Sequence, residues 1–334
     1  MIYDRTLCAD GNVAQYLEAT FENLNVAREL DDVGVLANAW AYFADALHWV
    51  GRFEESIQMA DEGIARFPRN LPPADWTLGA NPSAVLLFWR GNSLIWTGRI
   101  DEGLKDLDRG RRIAEEDGTT EIIAYFTAWS TQAHFYANDA ERALATARQT
   151  EEIMRAVGEL PALVSHTHEA FAYAHLAAGR PADAIEPARA ALAMHENMEK
   201  QHAGMTATLL AEALLRSGDL PAAEAAADEA IALCRRSSRA CHEANAHGIR
   251  ARALLRRNGP AERHAVEAAL AEAAALIKRT GAKLIAPALL EWRAELAAAL
   301  GDNAARLHLL REAQQGYNEI GAPAHAARLA AEIG

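Results

Sequence analysis

The chain has 334 residues, of which 51% are hydrophobic, and a formal net charge of −13 at pH 7. This composition excludes an intrinsically disordered chain, and the acidic balance argues against direct binding to nucleic acids or anionic membranes. Because no run approaches the ~18 apolar residues of a membrane span and the first residues lack the pattern of a signal peptide, we expect a cytoplasmic protein.

The first predicted element is a helix at residues 13–30, with the sequence VAQYLEATFENLNVAREL. Alanine and leucine dominate the whole chain and runs of β-branched residues are scarce, so we expect an all-α fold. This helix precedes a pattern that repeats through the rest of the chain. We therefore predict that residues 1–32 form an N-terminal capping helix over the first repeat.

The repeated pattern is a helical stripe, a glycine or asparagine turn, and a second, alanine-rich helix. Glycine and asparagine accept the left-handed conformation that a helix C-cap requires. Small residues recur at fixed offsets from the turn and allow two antiparallel helices to approach closely. The turns lie at Gly51, Gly98, Asn138, Gly179, Gly218, Gly259 and Gly301, which gives successive spacings of 47, 40, 41, 39, 41 and 42 residues.

The first repeat, AWAYFADALHWVGRFEESIQMADEGIARFP at residues 39–68, resembles the tetratricopeptide (TPR) repeat. The residues that match the motif are Trp40, Phe43, Ala44, Leu47, Gly51, Phe53, Ser56, Gly63 and Pro68. The resemblance covers residues 35–334 and implies a right-handed α-solenoid of about seven TPR-like helix pairs with capping helices. The period near 40 departs from the TPR period of about 34 and leaves HEAT-like repeats as an alternative.

These repeats predict one solenoid over residues 1–334. Within it we expect aromatic-rich repeats one to four at 33–198, alanine- and arginine-rich repeats five to seven at 199–321, and a C-terminal capping helix at 322–334. The aromatic residues are 8 Phe, 7 Trp and 7 Tyr, and all but Trp292 and Tyr317 precede residue 176. Part of this asymmetry comes from motif residues that pack in the core.

A second stripe on the first helices predicts a binding groove. In TPR arrays the first helix of each pair lines the concave surface, and here the first three show aromatic, polar and aromatic residues at equivalent positions. Such walls suit a small molecule or an extended peptide. The predicted groove residues are Tyr42, Asp45, Trp49, Trp89, Asn92, Trp96, Trp129, Gln132, Tyr136, Glu169 and Tyr173. The alternative is that the aromatic residues pack between neighbouring helices and form a thick core.

The later repeats contain an arginine-rich segment in an otherwise acidic chain. Residues 234–259, CRRSSRACHEANAHGIRARALLRRNG, hold seven arginines and one glutamate. Guanidinium groups bind phosphates and carboxylates well, so Arg216, Arg252 and Arg256 are predicted anion contacts. The alternative is a solvated face whose arginines interact with surrounding acidic residues.

No motif in the sequence predicts catalysis. The phosphate-binding G-x-x-x-x-G-K-[ST] loop and the G-x-S-x-G elbow are both absent. His166, His168 and His175 lie near one another in the sequence, but their spacing is not that of a H-E-x-x-H metal site. We therefore expect core histidines, no metal, no cofactor and no enzymatic activity.

The C-terminal segment LREAQQGYNEIGAPAHAARLAAEIG, residues 310–334, resembles the closing helices of TPR-like sensor regions in bacterial signalling ATPases, nucleotide cyclases and LuxR-type regulators. The matching residues are Tyr317, Gly321, Ala322, His325, Ala326, Arg328 and Leu329. This resemblance implies a non-catalytic sensor that binds a peptide, a partner protein or a small-molecule effector in its groove. It further implies regulation of a fused or interacting ATPase, cyclase or transcription module. The alternative is an assembly scaffold that oligomerises through its repeat surfaces.

Overall fold

The turn residues predicted from the sequence end helices in the structure. In this computed structural model, which describes residues 2–76 and 79–334, the φ angles of Gly51, Gly98 and Asn138 are 78°, 87° and 59°. Glycine adopts this left-handed region without strain, and asparagine visits it more readily than most residues. The α-helices of the described residues are α1 (Ile2–Ala9), α2 (Val13–Glu29), α3 (Val33–Trp49), α4 (Phe53–Arg66), α5 (Pro82–Trp96), α6 (Ile100–Glu116), α7 (Thr120–Tyr136), α8 (Ala140–Val157), α9 (Pro161–Ala177), α10 (Pro181–Met198), α11 (Lys200–Ser217), α12 (Leu220–Arg236), α13 (Ala240–Asn258), α14 (Arg263–Thr280), α15 (Ala286–Ala299), α16 (Asn303–Glu319) and α17 (Pro323–Ile333).

Helices α3 to α16 form seven consecutive pairs, one for each predicted turn, and the chain is a TPR-like α-solenoid. Two helices, α1 and α2, lie within the 1–32 segment for which a single capping helix was predicted. Helix α17 lies within 322–334. Across the described residues, no helix combines the length and the apolar character needed to cross a membrane.

Small residues allow the two helices of a pair to touch through their backbones. A Cβ atom on Gly103 of α6 would lie 2.5 Å from the carbonyl oxygen of Gly91 on α5, which is too close for any side chain. In the first pair, the hydroxyl of Ser56 instead donates a hydrogen bond of 2.8 Å to the carbonyl oxygen of Ala44. The fixed small positions therefore set the distance between paired helices.

The superhelix winds tightly enough for early repeats to contact late ones. A Cβ atom on Gly51 would lie 3.1 Å from Thr280, and one on Gly98 would lie 2.7 Å from Ile320. At the N-terminal end, Lys200 forms an ion pair of 3.1 Å with Asp10. The odd-numbered helices α3 to α15 thus surround an interior space, here called the lumen.

Candidate binding site: two cavities in the lumen

The lumen holds a cluster of three tryptophans from neighbouring first helices. Trp49, Trp89 and Trp129 are 2%, 7% and 5% exposed. The ring centroids of Trp49 and Trp89 are 5.5 Å apart and those of Trp89 and Trp129 are 5.7 Å apart, both in edge-to-face geometry. Aromatic pairs favour this arrangement. These three predicted groove residues therefore pack against one another, as in the core alternative to an open groove.

Residues from the later repeats reach this cluster from the opposite wall. The ring of His202 lies 4.9 Å from that of Trp49 and 5.8 Å from that of Trp129. The guanidinium of the buried Arg239 lies 4.1 Å from the centre of the Trp49 ring, a cation–π contact. Together Trp49, Trp89, Trp129, His202 and Arg239 form what we call the lumen plug.

The polar residue of the first repeat bonds to the N-terminal helices through one carboxylate oxygen, Oδ2 of Asp45. Asp45 is fully buried and accepts hydrogen bonds of 2.7 Å from Nη1 of Arg5 and from the hydroxyl of Tyr16. Burial raises the pKa of the Asp45 carboxyl, although Arg5 beside it favours the ionised form. The guanidinium of Arg5 also lies 5.9 Å from the ring centre of Tyr42. Helices α1 and α2 thus close one end of the predicted column.

The other polar groups of the predicted column bond within the protein. The amide of Asn92 donates 2.9 Å to a carbonyl oxygen of its own helix. The amide of Gln132 donates 2.8 Å to the hydroxyl of Tyr173. Trp96 is buried, with its ring 5.8 Å from that of Tyr136 and 4.8 Å from that of His242. Tyr136 is partly exposed, and both Tyr136 and Tyr173 line the second of the two cavities described below.

A first cavity lies on the side of the plug that faces the N-terminal ends of α5 and α7, and it is named here the Asp45 cavity. Its volume is about 310 Å³. The N-terminal halves of α5 and α7 form part of its wall, together with α3, α9 and the start of α11. Its lining includes Tyr42, Asp45, Trp89, Tyr125, His166, Glu199 and His202.

A second cavity, also of about 310 Å³, is named here the Arg252 cavity. It is lined by the C-terminal ends of α7 and α9, by α11, α13 and α15, and by side chains of α16 and α17. Four plug residues, Trp49, Trp89, Trp129 and His202, line the Asp45 cavity, and none of them lines the Arg252 cavity. The apolar and amide part of the second lining includes Tyr136, Tyr173, Met205, Asn245 and Trp292.

The predicted anion contacts are paired with glutamates. Nε of Arg216 lies 2.5 Å from Glu212, and Nε of Arg252 lies 3.0 Å from Glu295. Arg256 also pairs with Glu295, at 3.1 Å, but does not line the cavity. Burial raises the pKa of Glu212, but Arg216 and Arg252 outweigh burial and hold this pKa below its usual value. Arg216 and Arg252 therefore alternate with Glu212 and Glu295 in an ionic wall of the cavity.

The opposite wall of the Arg252 cavity comes from the C-terminal helices and was not predicted as a site. Glu291 accepts a hydrogen bond of 2.6 Å from the hydroxyl of Tyr317 and one of 2.7 Å from Nη2 of Arg328. The ring of His325 stacks on that of Tyr317 at 4.6 Å. Burial lowers the pKa of His325 to about 4. Tyr317, His325 and Arg328 are among the residues on which the resemblance to sensor regions rests, but no ligand contact was predicted for them.

Among the described residues, one group of side chains has the separation of metal ligands: His166, His195 and Glu199. From the sequence, His166 was grouped with His168 and His175, which lie on the same helix. In the structure it lies close to His195, which is on the next helix, and to Glu199, which follows that helix. The usable signal was the segment HENMEKQH at 195–202, where an i, i+4 His–Glu pair ends a helix. Glu169, also predicted for the groove, lies beside this group, with Oε2 at 3.6 Å from Nδ1 of His166.

No family model and no curated protein matches the chain. Among solved structures, a Rap protein complexed with competence and sporulation factor is similar at a TM-score of 0.65, with 10% identity over 99% of this chain and 94% of that one. Aspartyl phosphate phosphatase F from Bacillus subtilis is similar at a TM-score of 0.51, with 13% identity over 99% and 91%. A signal-transduction ATPase with a tetratricopeptide repeat sensor from Pyrococcus horikoshii is 16% identical over 93% of this chain and 46% of that one, at a TM-score of 0.49. The first two likenesses agree with the solenoid fold.

Proposed function

We propose that this chain is a non-catalytic, cytoplasmic binding and sensing module that takes up a short peptide or small molecule in the Arg252 cavity. The observation that carries the proposal is the cavity itself, with about 310 Å³ of space between aromatic side chains and partly buried ion pairs. This volume is at the lower end of ligand pockets, which are usually apolar with a few placed polar groups.

The wall chemistry favours a ligand that carries both charges. Arg252 has Glu295 at 3.0 Å and Glu212 at 3.7 Å, so each carboxylate and the guanidinium already lie at the surface of the cavity. A ligand carboxylate can approach Arg252 while a ligand ammonium approaches Glu295, and both charges of the wall stay compensated. A purely anionic ligand would compete with Glu212 and Glu295 for the guanidinium of Arg252 and would add negative charge beside both carboxylates.

Aromatic residues on two sides of the cavity suit an apolar side chain between the charges. Tyr136 and Tyr173 come from the early repeats, and Trp292 comes from the seventh. Flat aromatic surfaces provide large contact area with little loss of side-chain entropy. A short peptide offers this combination of charges and apolar groups.

The likeness in fold supports a binding role. The Rap protein similar to this chain at a TM-score of 0.65 was solved in complex with competence and sporulation factor. We infer that a ligand here would favour one curvature of the solenoid, because the cavity is lined by helices from α7 to α17. That change would regulate an attached or partner signalling module, such as an ATPase, a cyclase or a transcription factor.

A library of short synthetic peptides, read by calorimetry or by a shift in unfolding temperature, tests this function. Ala288 lines the Arg252 cavity and Ala80 lines the Asp45 cavity, so Ala288→Trp and Ala80→Trp form a matched pair of filling variants. Peptides that bind the wild type should lose at least about tenfold in affinity with Ala288→Trp and bind Ala80→Trp normally. Binding that both variants keep would remove the Arg252 cavity as the site.

Assembly is a second candidate function, favoured by four exposed apolar side chains on α2, directly after it and at the start of α3. Phe21, Val26, Leu30 and Val33 are 49%, 59%, 51% and 54% exposed. Exposed apolar side chains that lie together mark interaction surfaces. Light scattering should then show a dimer for the wild type and a monomer for the Val26→Lys, Leu30→Lys variant. A monomeric wild type at high concentration would count against this function.

A further inference from the structure

Three ligand-type atoms from different elements converge beside the Asp45 cavity. Nε2 of His166 on α9 lies 3.6 Å from Oε2 of Glu199, and Nε2 of His195 on α10 lies 4.0 Å from the same oxygen. The three ligand atoms all lie within 4.8 Å of one another. His166 and His195 are 1% and 0% exposed, so this group lies inside the protein.

The converging atoms have no hydrogen-bond partner within the described part of the chain. Neither ring nitrogen of His166 makes a hydrogen bond, and the same holds for Nε2 of His195 and Oε2 of Glu199. A buried polar atom without a partner costs about 1–3 kcal/mol. Three of these atoms, Nε2 of His166, Nε2 of His195 and Oε2 of Glu199, converge and therefore indicate a ligand that all three can contact.

The hydrogen bonds behind His195 fix its free nitrogen toward the group. Nδ1 of His195 lies 2.8 Å from the hydroxyl of Thr206, and this hydroxyl donates a bond of 2.8 Å to Oε1 of Glu169. Since the hydroxyl has only one proton, it accepts from Nδ1–H, and the lone pair of His195 is on Nε2. Metal-binding histidines are oriented in this way by an outer hydrogen bond to oxygen.

We propose that His166, His195 and Glu199 bind a divalent transition-metal ion, Zn²⁺, in the lumen. Two imidazole nitrogens and one carboxylate oxygen are a set that Zn²⁺ accepts, with bonds of about 2.0–2.2 Å and ligand atoms about 3.4 Å apart in tetrahedral geometry. The present separations of 3.6 and 4.0 Å reach that spacing through small side-chain movements. Glu199 lies between α10 and α11, outside both helices, and its side chain is 17% exposed, which leaves it room to adjust.

The surroundings also balance the charge of the ion. Glu199 would bind it directly, and Glu169, 5% exposed, lies 3.6 Å from Nδ1 of His166. With the ion on Nε2, the Nδ1–H of His166 faces this second carboxylate, which compensates the remaining charge. His166, Glu199 and His202 line the Asp45 cavity, so the fourth coordination position faces that space. Three protein ligands with one open position are typical of zinc sites that bind water or a further ligand.

The site is distinct from the Arg252 cavity and does not depend on the proposed function. Its ligands come from the fourth repeat and from the link to the fifth, so the ion would hold these two repeats together. Zinc binding should therefore raise the temperature of unfolding, because a ligand that binds only the folded state stabilises it.

Zinc titration of the full chain after treatment with EDTA tests the proposal. Calorimetry and elemental analysis should show one Zn²⁺ per chain, and Co²⁺ added instead should give the visible absorption of a four- or five-coordinate site. His195→Gln and Glu199→Gln should each weaken Zn²⁺ binding at least about 100-fold, and Thr206→Val about 10–100-fold through the outer hydrogen bond.

The matched control is His168→Gln, a histidine on the same helix as His166 that is outside the group. It should bind Zn²⁺ as the wild type does. Circular dichroism checks that each variant is folded, and Glu199→Gln is the variant least able to disturb the core because Glu199 is 17% exposed. A wild type that takes up no stoichiometric Zn²⁺, or folded His195→Gln and Glu199→Gln variants that bind it as tightly, would overturn the proposal.

Discussion

Replacing Trp129 by alanine tests whether the inner face of the first helices is packed core. Trp129 is 5% exposed, and its ring centroid lies 5.2 Å from that of Phe88 and 5.7 Å from that of Trp89. The ring of His202 lies 5.8 Å away on the opposite wall of the lumen. The side chain therefore contacts the preceding repeat and the distant fifth repeat at once.

The expected loss of stability follows from the buried area. A tryptophan buries about 150–250 Å², which at about 25 cal/mol/Å² corresponds to about 4–6 kcal/mol as an upper value. Core substitutions of large aromatic residues by alanine cost about 3–5 kcal/mol. We expect Trp129→Ala to lower the free energy of unfolding by that amount, whereas a tryptophan lining an open groove would change it by less than about 1 kcal/mol.

Urea denaturation followed by far-ultraviolet circular dichroism measures this difference. Phe21→Ala is the matched control, because Phe21 is 49% exposed and contacts another aromatic ring, that of Phe43, at 5.6 Å. It should cost about 1–2 kcal/mol, in proportion to its smaller buried area. Equal losses for Trp129→Ala and Phe21→Ala, or a loss below about 1 kcal/mol for Trp129→Ala, would refute the packed lumen.

Three further predictions concern packing, charge and pH. Gly103→Ala should lower the free energy of unfolding by about 2 kcal/mol, because its Cβ would lie 2.5 Å from a backbone oxygen of α5. Gly316→Ala should cost less in the same urea titration, because its Cβ would meet a side chain, that of Pro287, at 3.0 Å, and an equal cost would contradict this reasoning. Asp45→Asn should cost about 2 kcal/mol, measured in the same way, because it leaves Arg5 without its carboxylate, and an unchanged stability would contradict this pairing. Burial lowers the pKa of His325 to about 4, so the folded protein keeps this ring neutral, whereas the unfolded chain binds a proton below a pKa of about 6.5. The stability that the neutral ring contributes is therefore complete above pH 6.5 and is lost as the pH falls from 6.5 towards 4. His325→Phe should therefore lose less stability between pH 7 and pH 5 than the wild type, and equal pH dependence of their free energies of unfolding would contradict the assignment.

The helix pairs could be predicted because their signals are local. Gly51, Gly98 and Asn138 end helices where the sequence placed turns, since a positive φ angle is a requirement on one residue. The small residues at fixed offsets act in the same local way, as the contact between Gly91 and Gly103 illustrates. Each of these features involves one turn or one pair of neighbouring helices.

The contacts between early and late repeats that close the lumen could not be predicted from the repeat pattern. The curvature of a solenoid sums a small rotation at every repeat, and the contact of Gly98 with Ile320 depends on that sum. Whether Trp89 lines a groove or fills a core depends on the same curvature. A sequence pattern that identifies the inner face therefore leaves its exposure undetermined.

The ionic wall of the Arg252 cavity had a signal in the sequence that was not used. Glu212, Arg252 and Glu295 lie about one repeat apart, at nearly equivalent positions of three consecutive first helices. Side chains in such positions are neighbours in a solenoid, and the ion pairs of 3.7 and 3.0 Å follow from this register. The segment 234–259 contains neither glutamate, because Glu212 and Glu295 belong to the adjacent repeats, and these ion pairs agree with the alternative of arginines that interact with surrounding acidic residues.

The position of a bound peptide distinguishes a ligand site inside the lumen from one on the outer surface. A peptide selected on the wild type and carrying a benzophenone group can be photo-crosslinked, and mass spectrometry then identifies the modified residues. We predict adducts on the lining of the Arg252 cavity, at residues such as Tyr136, Asn245 and Trp292. Adducts confined to the outer faces of the even-numbered helices, or to the apolar surface of α2, would contradict a ligand site inside the lumen.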